Sequence, residues 1–169
     1  MKLEQWQSVR RAQREIEAMR DLWDAARVRV GVRPGSCGWK AATEAGFSPM
    51  EPGSATAWAD VVMILVPDLA QPELFATQIA PNLAPGALLM FAHGFAIRFG
   101  WITPPAGIDV AMVAPKAPGH RVREVFVDGA GVPGLVAIHA DATSTARATT
   151  LAYAKAIGCT RAGVIETTF

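Results

Sequence analysis

The sequence predicts an α/β fold with a mainly parallel, doubly wound sheet, and three observations lead there. From Arg27 onward, short apolar runs alternate with segments of helical pattern. Two of the runs, "VVMILV" and "ALLMFA", are apolar throughout instead of alternating, as strands buried on both faces must be. Polar and charged residues collect directly after those runs and not within them.

Residues 1–27 contain neither Gly nor Pro. Leu3, Trp6, Val9, Ile16, Met19 and Trp23 recur at helical spacing, which predicts one amphipathic helix. Glu17, Asp21 and Asp24 share a face of it, but Arg14, Arg20 and Arg27 interleave with them, so this is a solvated surface and not a metal stripe. "VRVGV" (28–32) reads as the first strand, "RPGSCG" as a loop, and Trp39 to Ala45 as a helix. Ser54 is the expected N-cap of "ATAWAD". "VVMILV" (61–66) is a strand ending at Pro67-Asp68, followed by a helix to about Ile79. "ALLMFA" (87–92), "DVAMVA" (109–114), "EVFVD" and "LVAIHA" are read as further strands. "TSTARATTLAYAKAIG" is a helix stopped by Gly158, and "AGVIETT" closes the chain as a strand.

Composition narrows the function. At 169 residues with 51% hydrophobic residues, the chain can bury a core of its own. A net charge of +1 argues against nucleic acid as partner, and no apolar run reaches the ~20 residues of a membrane span. Nothing at the N-terminus resembles a signal peptide, and Cys37 and Cys159 form no C-x-x-C. A cytoplasmic protein is expected.

Four strand ends carry chemistry: Arg33/Ser36, Asp68/Gln71, His93, and Lys116/His120. Ligands of open α/β sheets sit outside the carboxyl ends of the strands, so the clustering points to one site. Arg33 with a hydroxyl neighbour, and no Asp or Glu between Val28 and Ala42, suits a 2′-phosphate and favours NADP over NAD. The glycine pattern "GAGVPG" (129–134) does not supply the dinucleotide turn. Pro133 interrupts it, and a strand follows where a helix N-terminus is required, so it reads as a turn between strands.

The strings "GVRPGSCGWKAATEAGF", "WADVVMILVPDLAQ", "IAPNLAPGALLMFAHGF", "APKAPGHRVRE", "GVPGLVAIHADAT" and "LAYAKAIGCTRAGVIETTF" resemble, in this order, the N-terminal NADP-binding domain of ketol-acid reductoisomerase (acetohydroxyacid isomeroreductase). The likeness covers residues 28–169, leaving helix 1–27 outside it. It implies a Rossmann-like domain lacking the family's usual first strand and Gly-rich turn. It also implies an NADP- and Mg²⁺-dependent conversion of 2-acetolactate, a 2-hydroxy-3-keto acid, to 2,3-dihydroxyisovalerate in branched-chain amino acid synthesis. By motif, Arg33 and Ser36 would hold the 2′-phosphate, Asp68, Leu69, Ala70 and Gln71 would line the cofactor, and Gly119 would approach it through its backbone. His93 and Lys116 match catalytic residues, whereas His120 is assigned no role.

Two departures set expectations. The chain stops at Phe169, before the family's helical metal-binding domain, so the resemblance implies a truncated and catalytically incompetent form. Glu124 and Asp128 cannot substitute as metal ligands if they lie on a strand, where four residues span roughly 13 Å. With the first strand missing, "VRVGV" must either pair directly with "VVMILV" or leave the sheet gapped. The alternative reading is a non-catalytic module that binds NADP or docks on a partner through Trp6, Ile16 and Trp23. A different NADP-dependent enzyme is a third reading, and a homo-oligomer is left open.

Overall fold

The computed structural model describes residues 28–169; the helix expected over residues 1–27 lies outside them. Two parallel strands, β1 (Val30–Gly31) and β2 (Pro49–Met50), form a small sheet of their own. The main sheet has the order β3-β4-β5-β6-β7, from Val61–Ile64, Leu88–Phe91, Asp109–Pro115, Gly134–Ala140 and Val164–Glu166. All neighbours in it run parallel except β5 and β6. The mainly parallel α/β sheet is therefore present, and among the described residues it is gapped: β1 pairs with β2, not with β3.

Every residue of β4 and β5 is buried, which is why their sequences show no alternation. Leu88, Met90, Ala111, Val113 and Val136 point to one face. They meet Val122 of α5 (Gly119–Val127) and Tyr153 and Ala154 of α6 (Ala146–Ala156). Leu89, Phe91 and Val110 point to the other face. There they pack on Phe75 and Ile79 and on Ala96 and Ile97 of α4 (Phe95–Arg98). Fully buried side chains of this size contribute about 1.5–3 kcal/mol each. The helical run after β3 is not uniform: a 3₁₀ turn (Asp68–Ala70), α3 (Gln71–Leu74), a π turn (Phe75–Ile79) and a 3₁₀ turn (Ala80–Asn82) follow one another.

Four expectations need correction. "EVFVD" is not a strand but the second half of α5, because Gly119, Val122 and Phe126 recur at helical spacing and bury one face. Its β-branched residues suit a strand locally, and packing overrides that preference. "GAGVPG" consequently joins a helix to a strand. Gly131 is required there by closeness, since a Cβ on it would overlap the Gly158 carbonyl. Ser54 does not cap its helix: Glu51 occupies the cap position of α2 (Pro52–Trp58), with Pro52 in the first turn, where its missing N–H costs nothing. Finally, β3 is buried only at Ile64, because it is an edge strand among the described residues. The helix expected over Trp39 to Ala45 is α1 (Cys37–Glu44).

One buried carboxylate ties the end of the sheet together. Asp109, first residue of β5 and 2% exposed, accepts hydrogen bonds from the Thr143 backbone N–H (2.9 Å) and hydroxyl (2.6 Å). Asp141 then accepts from the Ala146 N–H at the start of α6 (3.0 Å), so the loop after β6 is fixed at both ends. Asp109→Ala leaves the Thr143 N–H without its acceptor and lowers the unfolding free energy by about 2–3 kcal/mol, measurable by urea denaturation.

An exposed ion pair joins α6 to β7: Arg147 Nε and Nη2 donate to Glu166 Oε2 at 3.1 and 2.9 Å. The hydrogen bond from Arg147 holds the Glu166 carboxyl below the usual carboxylate range. A depressed folded pKa means that the stabilisation is full above the unfolded value and is lost as pH falls through the folded one. In thermal melts from neutral to acidic pH, the wild-type chain loses more stability than Glu166→Gln. The difference shrinks in high salt because both side chains face solvent.

Candidate functional site at the sheet edge

The interiors of β4 and β5 hold no polar side chain except Asp109, so functional groups are confined to the loops at the carboxyl ends of the strands. The parallel register of β3, β4 and β5 brings three of those ends side by side.

Asp68 follows β3 and His93 follows β4, and the two meet: His93 Nε2 lies 2.8 Å from Asp68 Oδ1. His93 Nδ1 faces the Phe95 N–H at 3.4 Å, which assigns the imidazole proton to Nε2, where it donates to the carboxylate. Gln71 fixes the carboxylate in turn. Its side chain is 3% exposed, and its Nε2 donates to Asp68 Oδ1 (3.2 Å) and to the Val66 carbonyl (3.1 Å). His93 and Asp68 stay partly exposed, so their bond sets orientation more than stability. The link between them escaped sequence reasoning, which assigned the two residues separately. The available signal was that both stand just past neighbouring parallel strands. Leu69 and Ala70 are exposed on the same turn.

Arg33 and Ser36 close a tight turn after β1, with the Ser36 N–H bonded to the Arg33 carbonyl (3.2 Å). Gly35 sits at φ 70°, a conformation that glycine adopts freely. Ser36 caps α1, its Oγ accepting from the Trp39 N–H at 3.2 Å. Its hydroxyl proton remains available to a ligand. The N-terminus of α1 thus offers backbone N–H groups and the Ser36 hydroxyl just after the exposed Arg33, with no carboxylate nearby in sequence. This donor set fits a phosphate group, as the 2′-phosphate of NADP requires. Gly38, buried in that first turn, leaves no side chain to contribute a further donor.

Lys116 is exposed beyond β5, its backbone N–H bonded to the Pro133 carbonyl (2.8 Å), and its side chain pairs with no carboxylate among the described residues. Gly119 is buried as the first residue of α5, and His120 beside it is exposed. Because Glu124 and Asp128 are on a helix and its C-cap, the strand argument against a metal there does not apply. Glu124 instead pairs with Arg121 (3.3 Å). Among the described residues no three His, Cys, Asp or Glu side chains come together in a metal-holding group.

Comparison with known proteins identifies the family. A family model described as "Acetohydroxy acid isomeroreductase, NADPH-binding domain" matches residues 11–163. A ketol-acid reductoisomerase (NADP(+)) of Pyrobaculum neutrophilum is 54% identical over 143 residues, covering 85% of this chain and 44% of that protein. The Mycobacterium ulcerans enzyme of the same name is 55% identical over 142 residues, covering 84% and 43%. The structure of an NADH-preferring ketol-acid reductoisomerase from an uncultured archean superposes with a TM-score of 0.87 at 40% identity, covering 92% of this chain and 48% of that one. The chain thus spans less than half the length of these relatives. It belongs to the acetohydroxy acid isomeroreductase (ketol-acid reductoisomerase) family, matching that family's NADPH-binding domain.

Proposed function

We propose that the chain binds NADPH at the carboxyl edge of its strands, with Arg33 and Ser36 holding the 2′-phosphate at the N-terminus of α1. The observation that supports this most is the helix N-terminus capped by Ser36, on a turn closed by the backbone bond to the exposed Arg33. Asp68, Leu69, Ala70 and Gln71 line the cofactor, and Gly119 approaches it through its backbone. His93, aimed by Asp68, and the ammonium of Lys116 face the reacting end.

In the family reaction bound NADPH supplies a hydride to the rearranged keto acid formed from 2-acetolactate or its ethyl homologue. On this reading His93 and Lys116 are the catalytic residues of the domain. We extend the reading to a cytoplasmic location, supported by Cys37 and Cys159 standing far apart in the sequence with no C-x-x-C motif; no helix among the described residues is long and apolar enough to cross a membrane.

The test is a titration of the purified chain followed by nicotinamide fluorescence. NADPH is expected to saturate and to bind at least about tenfold more tightly than NADH, a difference of ~1.4 kcal/mol. Arg33→Ala removes that preference and leaves NADH affinity unchanged. Equal affinity for the two cofactors, or no binding at millimolar NADPH, would contradict the proposal.

A further inference from the structure

At the edge opposite the cofactor loops, the segment 104–108 leads into β5 and the antiparallel β6 ends beside it. Pro104, Pro105, Ile108, Val110, His139 and Asp141 line a cavity of about 360 Å³ there. Its floor is apolar, with Ile108 and Val110 almost fully buried. One wall is stiff, because consecutive prolines have little freedom in φ. A preformed apolar hollow of this size with a few polar groups on its rim suits a small organic molecule.

The polar groups are His139 and Asp141. Val110 pairs with Ala140 and Ala111 with Ile138, so His139 is the extra residue of a β-bulge in β6. A bulge re-aims the side chain it carries. His139 is exposed, its ring set edge-on to Phe169 at 5.6 Å, and neither ring nitrogen has a hydrogen-bond partner among the described residues. Asp141 spends Oδ1 on the Ala146 N–H and keeps Oδ2 without a partner among those residues. The nearby Asp109 carboxylate, by contrast, is taken up by Thr143. Two residues apart on an extended chain, the imidazole and the carboxylate are carried roughly 7 Å from one another.

We propose that this cavity binds an aliphatic α-amino acid. The ammonium group donates to Asp141 Oδ2, the carboxylate accepts from a ring N–H of His139, and the side chain lies on Ile108 and Val110. Charge on the ligand strengthens both hydrogen bonds. A simple amine would leave the imidazole unused, and a simple carboxylic acid would bring a like charge up to Asp141. A zwitterion with an apolar side chain satisfies both groups and the floor together. Arg33, Ser36 and His93 stand at the other edge, so the cavity is distinct from the cofactor site.

The test is an amide chemical-shift titration of the ¹⁵N-labelled full chain with three probes at neutral pH. They are L-leucine, 3-methylbutylamine (leucine without its carboxylate) and 4-methylpentanoate (leucine without its ammonium group). Leucine is expected to saturate in the millimolar range, with shifts at Gly107, Ile108, His139, Ala140 and Asp141. The amine and the acid bind at least about tenfold more weakly. Asp141→Asn keeps an acceptor for the Ala146 N–H and removes the charge. It weakens leucine at least about tenfold and leaves 4-methylpentanoate no weaker than before. No saturable shift with leucine near its solubility limit would overturn the proposal. So would an amine or acid that binds as well as leucine, or leucine shifts centred on Ser36 and His93. Unchanged leucine affinity in a natively folded Asp141→Asn would also overturn it. Should that variant not fold, the comparison of the three probes on the unchanged chain decides.

Discussion

The architecture depends on the burial of β4 and β5 on both faces. A strand packed above and below by side chains can hold only apolar residues along its length, because an unpaired polar group there would lose its hydration without replacement. Leu89, Met90, Ala111 and Val113 obey this with almost no exposure. The one polar exception, Asp109, stands at the very start of β5 and has two partners on Thr143. Functional groups are thereby confined to the strand ends, and the parallel register gathers those ends along one edge.

This constraint explains why so much of the fold was legible in the sequence. Continuous apolar runs mark buried parallel strands, and the polar residue following each run marks the edge. Asp68, His93 and Lys116 were found in that way. The same reasoning fails where local preference and packing diverge. Val122, Val125 and Val127 favour a strand when taken residue by residue, yet the burial of Val122 and Phe126 across one helical turn makes the segment α5. Edge position is equally invisible locally, so β3 looked like a central strand although only Ile64 is buried. The Asp68–His93 hydrogen bond lay beyond sequence reasoning for a related reason: it depends on which strands are neighbours.

Within the family, the turn after β1 offers a physical basis for cofactor choice. The similar structure described as NADH-preferring shows that one fold serves either nicotinamide cofactor. The difference must then lie in a few side chains around the adenine ribose. If this chain binds its cofactor as proposed, that position holds Arg33, the Ser36 hydroxyl and the first turn of α1, a donor set suited to negative charge with no carboxylate to hold a free 2′-hydroxyl. His93 lies at a different part of the same edge, next to Gly94, which packs closely on Phe169.

The central claim is that the loops at the carboxyl ends of the strands form one cofactor site. The most direct measurement is an amide chemical-shift map of the ¹⁵N-labelled chain titrated with NADPH. The account predicts saturable shifts at Gly35, Ser36, Cys37, Gly38, Leu69, His93 and Gly119, with little change at the opposite sheet edge around Asp109 and Thr143. Shifts centred on that opposite edge, or none up to millimolar cofactor, would contradict it.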